Sequence, residues 1–365
     1  MGIQQIEVYP VTLAYREPFR IAPGASIESH NVVVKIITDY GVVGWGESSP
    51  SERVTGETVG TVIKALDKIA PRLIGMCPLR IEHDVEIMDS AVAGNPAAKA
   101  AIDIALHDIF GKTVRKPLFR ILGGYRTEVL TDITLGIKSP KEMARDAVKA
   151  VKKGFKALKV KVGVNPTEDI ERIRLIREAA GENIQIRIDA NQGWTPKQAI
   201  EVLNKIEKFN IQFAEQPVPA EDLNGLKEVK QNSPIPIMAD ESVHSPEDAL
   251  RLIEAVDMIN IKLMKCGGIH NAKKIAAIAE AAGAPCMIGC MGESEIGIAA
   301  GAHLAAAVKN IQYADLDSDL LLKDKLATKG GTKVQNSTRI FTKNPGLGIK
   351  TLNEKLLGKP KKIYK

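Results

Sequence analysis

Charged residues end a series of short apolar runs at a nearly constant interval, and this interval constrains the fold more than any other feature of the chain. The five charged residues are separated by steps of 28, 26, 25 and 25 positions and are Lys161, Asp189, Glu215, Asp240 and Lys265. Similar runs end near Thr134, Cys290 and Asp315, which extends the series to eight strand ends. A strand and a helix fit in each interval, so the pattern predicts a (β/α)8-type barrel.

Helix-start signals lie between the predicted strands. Ser139-Pro140, Thr195-Pro196 and Ser245-Pro246 each combine an N-cap residue with proline at the first helical position. Thr167 is predicted to cap a fourth helix, with acidic residues in its first turn. Active sites of such barrels lie at the carboxyl ends of the strands, so the five charged residues should converge on one mouth.

The run from Ala157 to Gly163 places two lysines on one face of a strand, because strand side chains alternate with period two. Lys159 and Lys161 point away from the apolar face and therefore into the barrel. A protein core does not accept two unpaired ammonium groups. Either carboxylates pair with them or the chemistry requires them.

Three carboxylates aimed at one point repel each other unless a cation lies between them. Asp189, Glu215 and Asp240 offer oxygen ligands only, which suits a hard divalent ion and predicts Mg²⁺. The alternative is a cluster of salt bridges with the neighbouring lysines. Asn191 and Glu241 are expected to support the ligands.

Lys161 and Lys265 come from the second and sixth strands, on opposite sides of an eight-stranded barrel. Two opposed bases permit removal of a proton from one face of a carbon and delivery to the other, which inverts a stereocentre. A metal would stabilise the enolate formed when a proton leaves the carbon next to a carboxylate. Lys159 is expected to add positive charge there, whereas Lys262 is predicted to face away and to be structural.

Asp315 and Asp317 follow the eighth strand and share one face. In many barrels the neighbouring loops hold phosphate, which two carboxylates would repel. The pair instead predicts a site for an ammonium group. The alternative is a solvated acidic loop.

The 365 residues predict two domains, with an α+β domain over residues 1–125, a barrel over 126–324 and a return of residues 325–365 to the first domain. Residues 16–30 are predicted to form a loop, and residues 358–365 are expected to be frayed.

The net charge of +6 is not accompanied by a nucleic-acid-binding motif, and no segment has the length of a membrane span. Four cysteines without zinc or disulfide spacing favour a reducing cytoplasm.

Five motifs resemble the enolase superfamily, muconate-lactonizing subgroup. They are Lys159-Val160-Lys161, Asp189-Ala190-Asn191, Glu215-Gln216-Pro217, Asp240-Glu241-Ser242 and Lys265-Cys266-Gly267-Gly268. The resemblance covers nearly the whole chain and implies a modified (β/α)7β TIM-type barrel with an N-terminal α+β capping domain. Within the subgroup, Asp315-Leu316-Asp317 is similar to the feature of dipeptide epimerases that binds the substrate ammonium.

The resemblance implies Mg²⁺-dependent epimerisation at the C-terminal residue of L-Ala-Xaa-type dipeptides. We also expect the chain to form a homo-oligomer. It also implies that Thr134, Lys159 and Cys290 contact the dipeptide. Members selective for Ala-Glu are expected to carry an arginine near position 24, where this chain has Gly24, with Arg20 and Arg53 nearby. An apolar side chain is therefore expected at the epimerised position.

Several alternatives remain open at this point. Within the same superfamily they are o-succinylbenzoate synthase, muconate-type cycloisomerase and N-acylamino acid racemase activities, none of which uses a substrate ammonium. Outside enzymes, the alternative is a metal-dependent binding protein on the same barrel.

Overall fold

The computed structural model describes residues 1–22 and 24–365 and contains an antiparallel sheet, a layer of helices and a curled parallel sheet. The first part comprises β1 (Ile3–Ile21), β2 (Gly24–Thr38), β3 (Val43–Ser48), α1 (Val59–Leu73), α2 (Ile81–Ala91), α3 (Pro96–Thr113), α4 (Leu118–Leu122) and β4 (Glu128–Leu130). The three long strands pair in the order β1-β2-β3, and α1 and α3 pack against them.

Eight parallel strands with helices between them follow. They are β5 (Ile133–Leu135), α5 (Pro140–Lys152), β6 (Ala157–Lys161), α6 (Pro166–Ala180), β7 (Gln185–Asp189), α7 (Pro196–Ile206), β8 (Ile211–Glu215), α8 (Leu223–Asn232), β9 (Ile237–Ala239), α9 (Pro246–Leu252), β10 (Met258–Lys262), α10 (Leu263–Cys266), α11 (Ile269–Ala281), β11 (Cys286–Gly289), α12 (Glu295–Ala307) and β12 (Ile311–Ala314).

The parallel strands lie in sequence order from β5 to β12, which confirms the predicted (β/α)7β arrangement. Across the seam between the first and last strands, Asp132 N donates to Ala314 O at 3.3 Å. Every residue of β6, β9, β10 and β11 is buried, as expected for strands covered on both faces.

Three of the four helix-start predictions agree with the structure. Ser139 and Thr195 form capping boxes, and the side chain of Ser245 accepts a hydrogen bond from the N–H of Asp248. The prediction for Thr167 is wrong, because Asn165 caps α6 and accepts from the N–H of Thr167. Asn165 precedes Pro166, so this helix too starts with a cap followed by proline.

The predicted loop at residues 16–30 is wrong. Apart from residue 23, which lies outside the described residues, β1 and β2 form a long antiparallel arm over this range, paired out to Ile21 and Gly24, with a register shift between Ala14 and Phe19. Most side chains of this arm are not buried, so it lacks the apolar alternation that would have revealed it.

The chain ends in α13 (Ser318–Leu321), β13 (Ala327–Lys329), β14 (Thr332–Gln335), β15 (Thr338–Phe341), β16 (Thr351–Leu352), α14 (Glu354–Leu357) and β17 (Lys362–Tyr364). The expectation of a frayed end is wrong, because β17 pairs with β1 and Tyr364 donates to Asp67 at 2.6 Å. The hairpin β14-β15 adds β4 as a third strand.

Two contacts position the first sheet, one with the barrel and one with α3. The buried carboxylate of Glu47 accepts hydrogen bonds from the backbone N–H of Ser294 and Gly297, at the start of α12. Gly44 and Gly46 let α3 lie directly on β3, since a Cβ at Gly46 would collide with the carbonyl oxygen of Ala101. Among residues 1–22 and 24–365, no helix has both the length and the apolar character to cross a membrane.

Candidate active site

Three buried carboxylates meet at the carboxyl ends of β7, β8 and β9. Asp189, Glu215 and Asp240 each place an oxygen within 4.8 Å of the others. Oε2 of Glu215 accepts no hydrogen bond from any described residue, although Lys159 Nζ lies 2.8 Å away. An all-oxygen set with an oxygen left without a hydrogen bond fits a hard divalent cation such as Mg²⁺.

The electrostatics of the cluster support this fit. Burial, together with the charge of Asp189, raises the pKa of Glu215 to about 8. Burial also works to raise the pKa of Asp189, but the ammonium groups of Lys159 and Lys161 outweigh it and hold that pKa below its ordinary value. Without a divalent ion the cluster retains a proton near neutral pH, and a cation would take the place of that proton.

The two predicted bases flank this cluster. Lys161 Nζ lies 2.6 Å from Asp189 Oδ2, and Lys265 Nζ lies 2.6 Å from Asp240 Oδ1. Lys161 belongs to β6, whereas Lys265 follows β10, four strands away in a sheet of eight. The ammonium groups therefore approach the acidic cluster from different sides of the curled sheet.

Lys262 corrects a sequence prediction. The chain leaves the strand at Lys262 and forms a helical turn from Leu263, so residues three apart come to the same side. Lys262 Nζ thus lies 2.6 Å from Asp240 Oδ2, buried in the site rather than facing away. The lysine pair three residues apart, Lys262 and Lys265, was the signal for such a turn.

Asn260 is a further residue that sequence reasoning missed. Its Nδ2 donates to Glu215 Oε1 at 2.8 Å. Asn260 and Lys262 are two apart on β10 and share the inward face, so strand alternation could have identified both.

The predicted ammonium site lies on the other side of Lys159. Lys159 Nζ is 2.7 Å from Asp315 Oδ2, and it also contacts Asp189 at 3.0 Å. The N–H of Thr134 donates to Asp317 Oδ2 at 2.6 Å, and Cys290 Sγ lies 3.8 Å from Asp317 Oδ1. All five predicted substrate residues therefore form one group.

The two aspartates of this group are not equivalent. Asp315 pairs with Lys159, whereas Asp317 pairs with no cation among the described residues. Burial and the charge of Asp315 raise the pKa of Asp317 to about 7. Burial acts on Asp315 in the same direction, but Lys159 and Lys161 hold its pKa below the ordinary value.

Asn191 and Glu241 lie beside the metal cluster, where the sequence predicts them. Asn191 Oδ1 accepts from Lys161 Nζ at 3.0 Å, and its Nδ2 donates to Glu241 Oε1 at 3.0 Å. Asn191 thus links a predicted base to a buried carboxylate. Burial, with the charge of Asp240, raises the pKa of Glu241 to about 7.

A cavity of about 730 Å³ opens above these groups, between the barrel mouth and the β1-β2 arm. Lys161, Lys262 and Cys290 line its floor, and Phe19 and Ile21 line the arm side. At its rim, the guanidinium of the exposed Arg53 lies 2.7 Å from where a Cβ of Gly24 would be. Arg20 is not among the lining residues.

Comparison with known proteins places these features in a family. Residues 4–123 match the model of the mandelate racemase/muconate lactonizing enzyme N-terminal domain, and residues 142–355 match the enolase C-terminal domain-like model. The chain is 46% identical to the L-Ala-D/L-Glu epimerase of Clostridium acetobutylicum, over 97% of this chain and 100% of that protein. It is also 46% identical to the hydrophobic dipeptide epimerase of Enterococcus faecalis, over 96% and 99% of the two chains.

A solved structure shows the same likeness. The dipeptide epimerase of Enterococcus faecalis, complexed with Mg and the dipeptide L-Leu-L-Tyr, superposes with a TM-score of 0.94 at 46% identity. The match covers 96% of this chain and 100% of that chain.

Proposed function

The chain belongs to the mandelate racemase/muconate lactonizing enzyme family of the enolase superfamily, and from this premise we propose that it is a Mg²⁺-dependent dipeptide epimerase. The reaction is inversion at Cα of the C-terminal residue. The observation that carries the proposal is a buried acidic cluster flanked by two lysines, with a second acidic pair one lysine away.

Asp189, Glu215 and Asp240 would hold the metal. Bound there, Mg²⁺ supplies positive charge that stabilises the enolate of the substrate carboxylate. Lys159 adds a cation on the same side, because its ammonium contacts both Asp189 and Glu215.

Lys161 and Lys265 exchange the Cα proton from opposite faces. The lysine that is neutral when substrate binds accepts the proton, and the other, as the ammonium ion, donates a proton to the opposite face. Asn191 accepts a hydrogen bond from Lys161 and so orients it. Lys265 is fully buried, whereas Lys161 lies on the cavity floor, where a bound substrate would displace water that otherwise competes as a proton source.

Asp317 and Asp315 receive the substrate ammonium. Asp317 carries most of this role, because Asp315 is already paired with Lys159. The backbone N–H of Thr134 and the thiol of Cys290 hold Asp317 in place.

The side chain of the epimerised residue is apolar in this proposal. The cavity above the lysines is bordered by Phe19, Ile21 and Met291. A glutamate side chain would lose hydration among these groups, and Arg53 is the cation at the rim, away from the lysines of the floor. L-Ala-L-Leu is therefore expected to have a higher kcat/KM than L-Ala-L-Glu.

The test is incubation of a dipeptide panel with the enzyme and Mg²⁺ in D2O, followed by NMR. Loss of the Cα proton of the C-terminal residue, with appearance of the diastereomer, supports the proposal. Exchange with N-acylated amino acids but with no dipeptide would contradict it. If L-Ala-L-Glu proves the better substrate, and Arg53→Ala abolishes that preference, the apolar assignment is wrong.

Two predictions from the sequence complete the proposal. They are a cytoplasmic location and assembly into a homo-oligomer. Size-exclusion chromatography with light scattering measures the second, and a single monomeric species would contradict it.

A further inference from the structure

A second cavity lies beside the active site and has no part in the steps described above. Its volume is about 440 Å³, within the range of roughly 300–1,000 Å³ typical of small-molecule sites. It is bounded by β5 and α5, by α13, by β14 and by the β1-β2 arm.

The two cavities meet at an aromatic pair. Tyr15 and Phe19 line both, and their rings stack with centroids 5.9 Å apart. Thr134 lines the second cavity, and Cys290 lines the first. Because both residues contact Asp317, this carboxylate lies where the cavities adjoin.

This position determines where a dipeptide can extend. The ammonium group bound by Asp317 is attached to the same carbon as the side chain of the N-terminal residue. That side chain must therefore start within a few ångströms of Thr134 and Cys290. The C-terminal residue has to reach Lys161, which lines the first cavity, so the second cavity remains for the N-terminal side chain.

The lining of the second cavity indicates which side chain fits. Its walls include Phe19, Leu135, Phe155 and Leu321. On the outer side, Lys138 pairs with Glu17 at 2.8 Å and with Asp146 at 2.7 Å, so these charges compensate each other. The ionisable residues of the lining carry a net positive charge and are Arg16, Glu17, Lys138, Asp146, Lys149 and Lys153.

Resting on the proposed epimerase activity, we infer that this cavity binds the side chain of the N-terminal residue, and that the enzyme selects dipeptides whose first residue is larger than alanine and apolar. Leucine, methionine and phenylalanine belong to this class. A lysine or arginine at the first position is disfavoured, because the lining has a net positive charge and its two carboxylates, Glu17 and Asp146, already pair with Lys138.

The experiment measures kcat/KM for a series of L-Xaa-L-Leu dipeptides by exchange of the Cα proton of the C-terminal residue in D2O. Leucine or phenylalanine at the first position is expected to exceed alanine by at least about 10-fold, as for added methylenes in an apolar pocket. Alanine equal to leucine, or lysine above leucine, would overturn the inference. No exchange with any dipeptide would instead overturn the epimerase proposal.

A cavity-filling variant locates the effect. Ala150 lies on α5 and lines the second cavity, so Ala150→Phe should lower the leucine-to-alanine preference about 10-fold. Ala282→Phe adds the same ring at an exposed position at the end of α11 and should keep the wild-type preference. If thermal melting shows that Ala150→Phe is unfolded, Leu321→Trp at a half-exposed wall position gives the same test. An unchanged preference in the folded variant would refute the location.

Discussion

Replacing Asp317 by asparagine separates the proposed ammonium site from the rest of the active site. Asp317→Asn keeps the shape of the side chain and can still accept the hydrogen bond from the N–H of Thr134. It removes the one carboxylate of the pair that no described cation neutralises. The variant should therefore fold normally and lose the attraction for a substrate ammonium.

The size of the effect follows from the type of contact. A hydrogen bond between charged groups contributes about 1.5–3 kcal/mol, which corresponds to a loss of roughly 10- to 150-fold in kcat/KM.

The pH profile of kcat/KM should change as well. Asp317, with its pKa raised to about 7 by burial and by Asp315, must be ionised to bind, so kcat/KM should fall as pH decreases below about 7. In Asp317→Asn this acid limb should shift to lower pH, and the limb from the dipeptide α-amino group near pH 8 should weaken, because binding depends less on the ammonium.

The assay compares a dipeptide with its N-acetyl derivative, which carries no ammonium. Asp317→Asn should reduce turnover of the first, whereas the second should lose little or gain. Asp89→Asn, on the exposed face of α2, serves as the charge-matched control. A kcat/KM for the dipeptide within about threefold of wild type, with an unchanged acid limb, would refute the assignment of Asp317.

Four further predictions follow from the structure. Lys161→Met and Lys265→Met should each reduce epimerisation by about 10²–10⁴-fold, and NMR in D2O should show each variant exchanging the Cα proton of only one epimer; equal exchange of both epimers would contradict the two-base assignment. Removal of divalent ions with EDTA should abolish exchange, and Mg²⁺ should restore it. Gly46→Ala should lower the free energy of unfolding by about 1–3 kcal/mol through its collision with α3, whereas Gly60→Ala in the open first turn of α1 should be neutral or stabilising in the same urea titration. Burial raises the pKa of Glu293 to about 8, so the folded state holds a proton that the unfolded state releases above pH 4.5. The free energy of unfolding should therefore fall between pH 4.5 and 8, by up to about 1.4 kcal/mol per pH unit. Glu293→Gln should flatten this slope.

The barrel was predictable because its signal is local and repeated. Each unit contains a buried strand, a polar residue at its carboxyl end and a capped helix, and these features agree with each other along the chain. The convergence of Asp189, Glu215 and Asp240 then followed from the geometry of parallel strands, without knowledge of any side-chain contact.

Features that depend on distant pairing were not predictable. The outer part of the β1-β2 arm, which includes Phe19, is held by backbone pairing between strands whose side chains are mostly not buried. β17 is ordered because Tyr364 pairs opposite Ile6, at the other end of the chain. Neither segment has an apolar pattern that marks it as a strand on its own.

The site itself was predictable as a set of residues but not as a set of pairs. Alternation placed Asp315 and Asp317 on one face, yet only the folded barrel shows that Lys159 reaches the first and Thr134 the second. Lys262 was misplaced because strand periodicity was extended through a helical turn. When a helical turn is taken for a strand, the predicted direction of a side chain three residues away is reversed.

Lys159 connects the proposed metal site with the proposed ammonium site. The same ammonium contacts Asp189, Glu215 and Asp315, so one positive charge compensates both acidic groups in the resting enzyme. When a cation binds to one acidic group, the ammonium of Lys159 is free to pair with the other group. We therefore expect the binding of Mg²⁺ at the first group and of the substrate ammonium at the second to be coupled, with each ligand changing the dissociation constant of the other by the same factor.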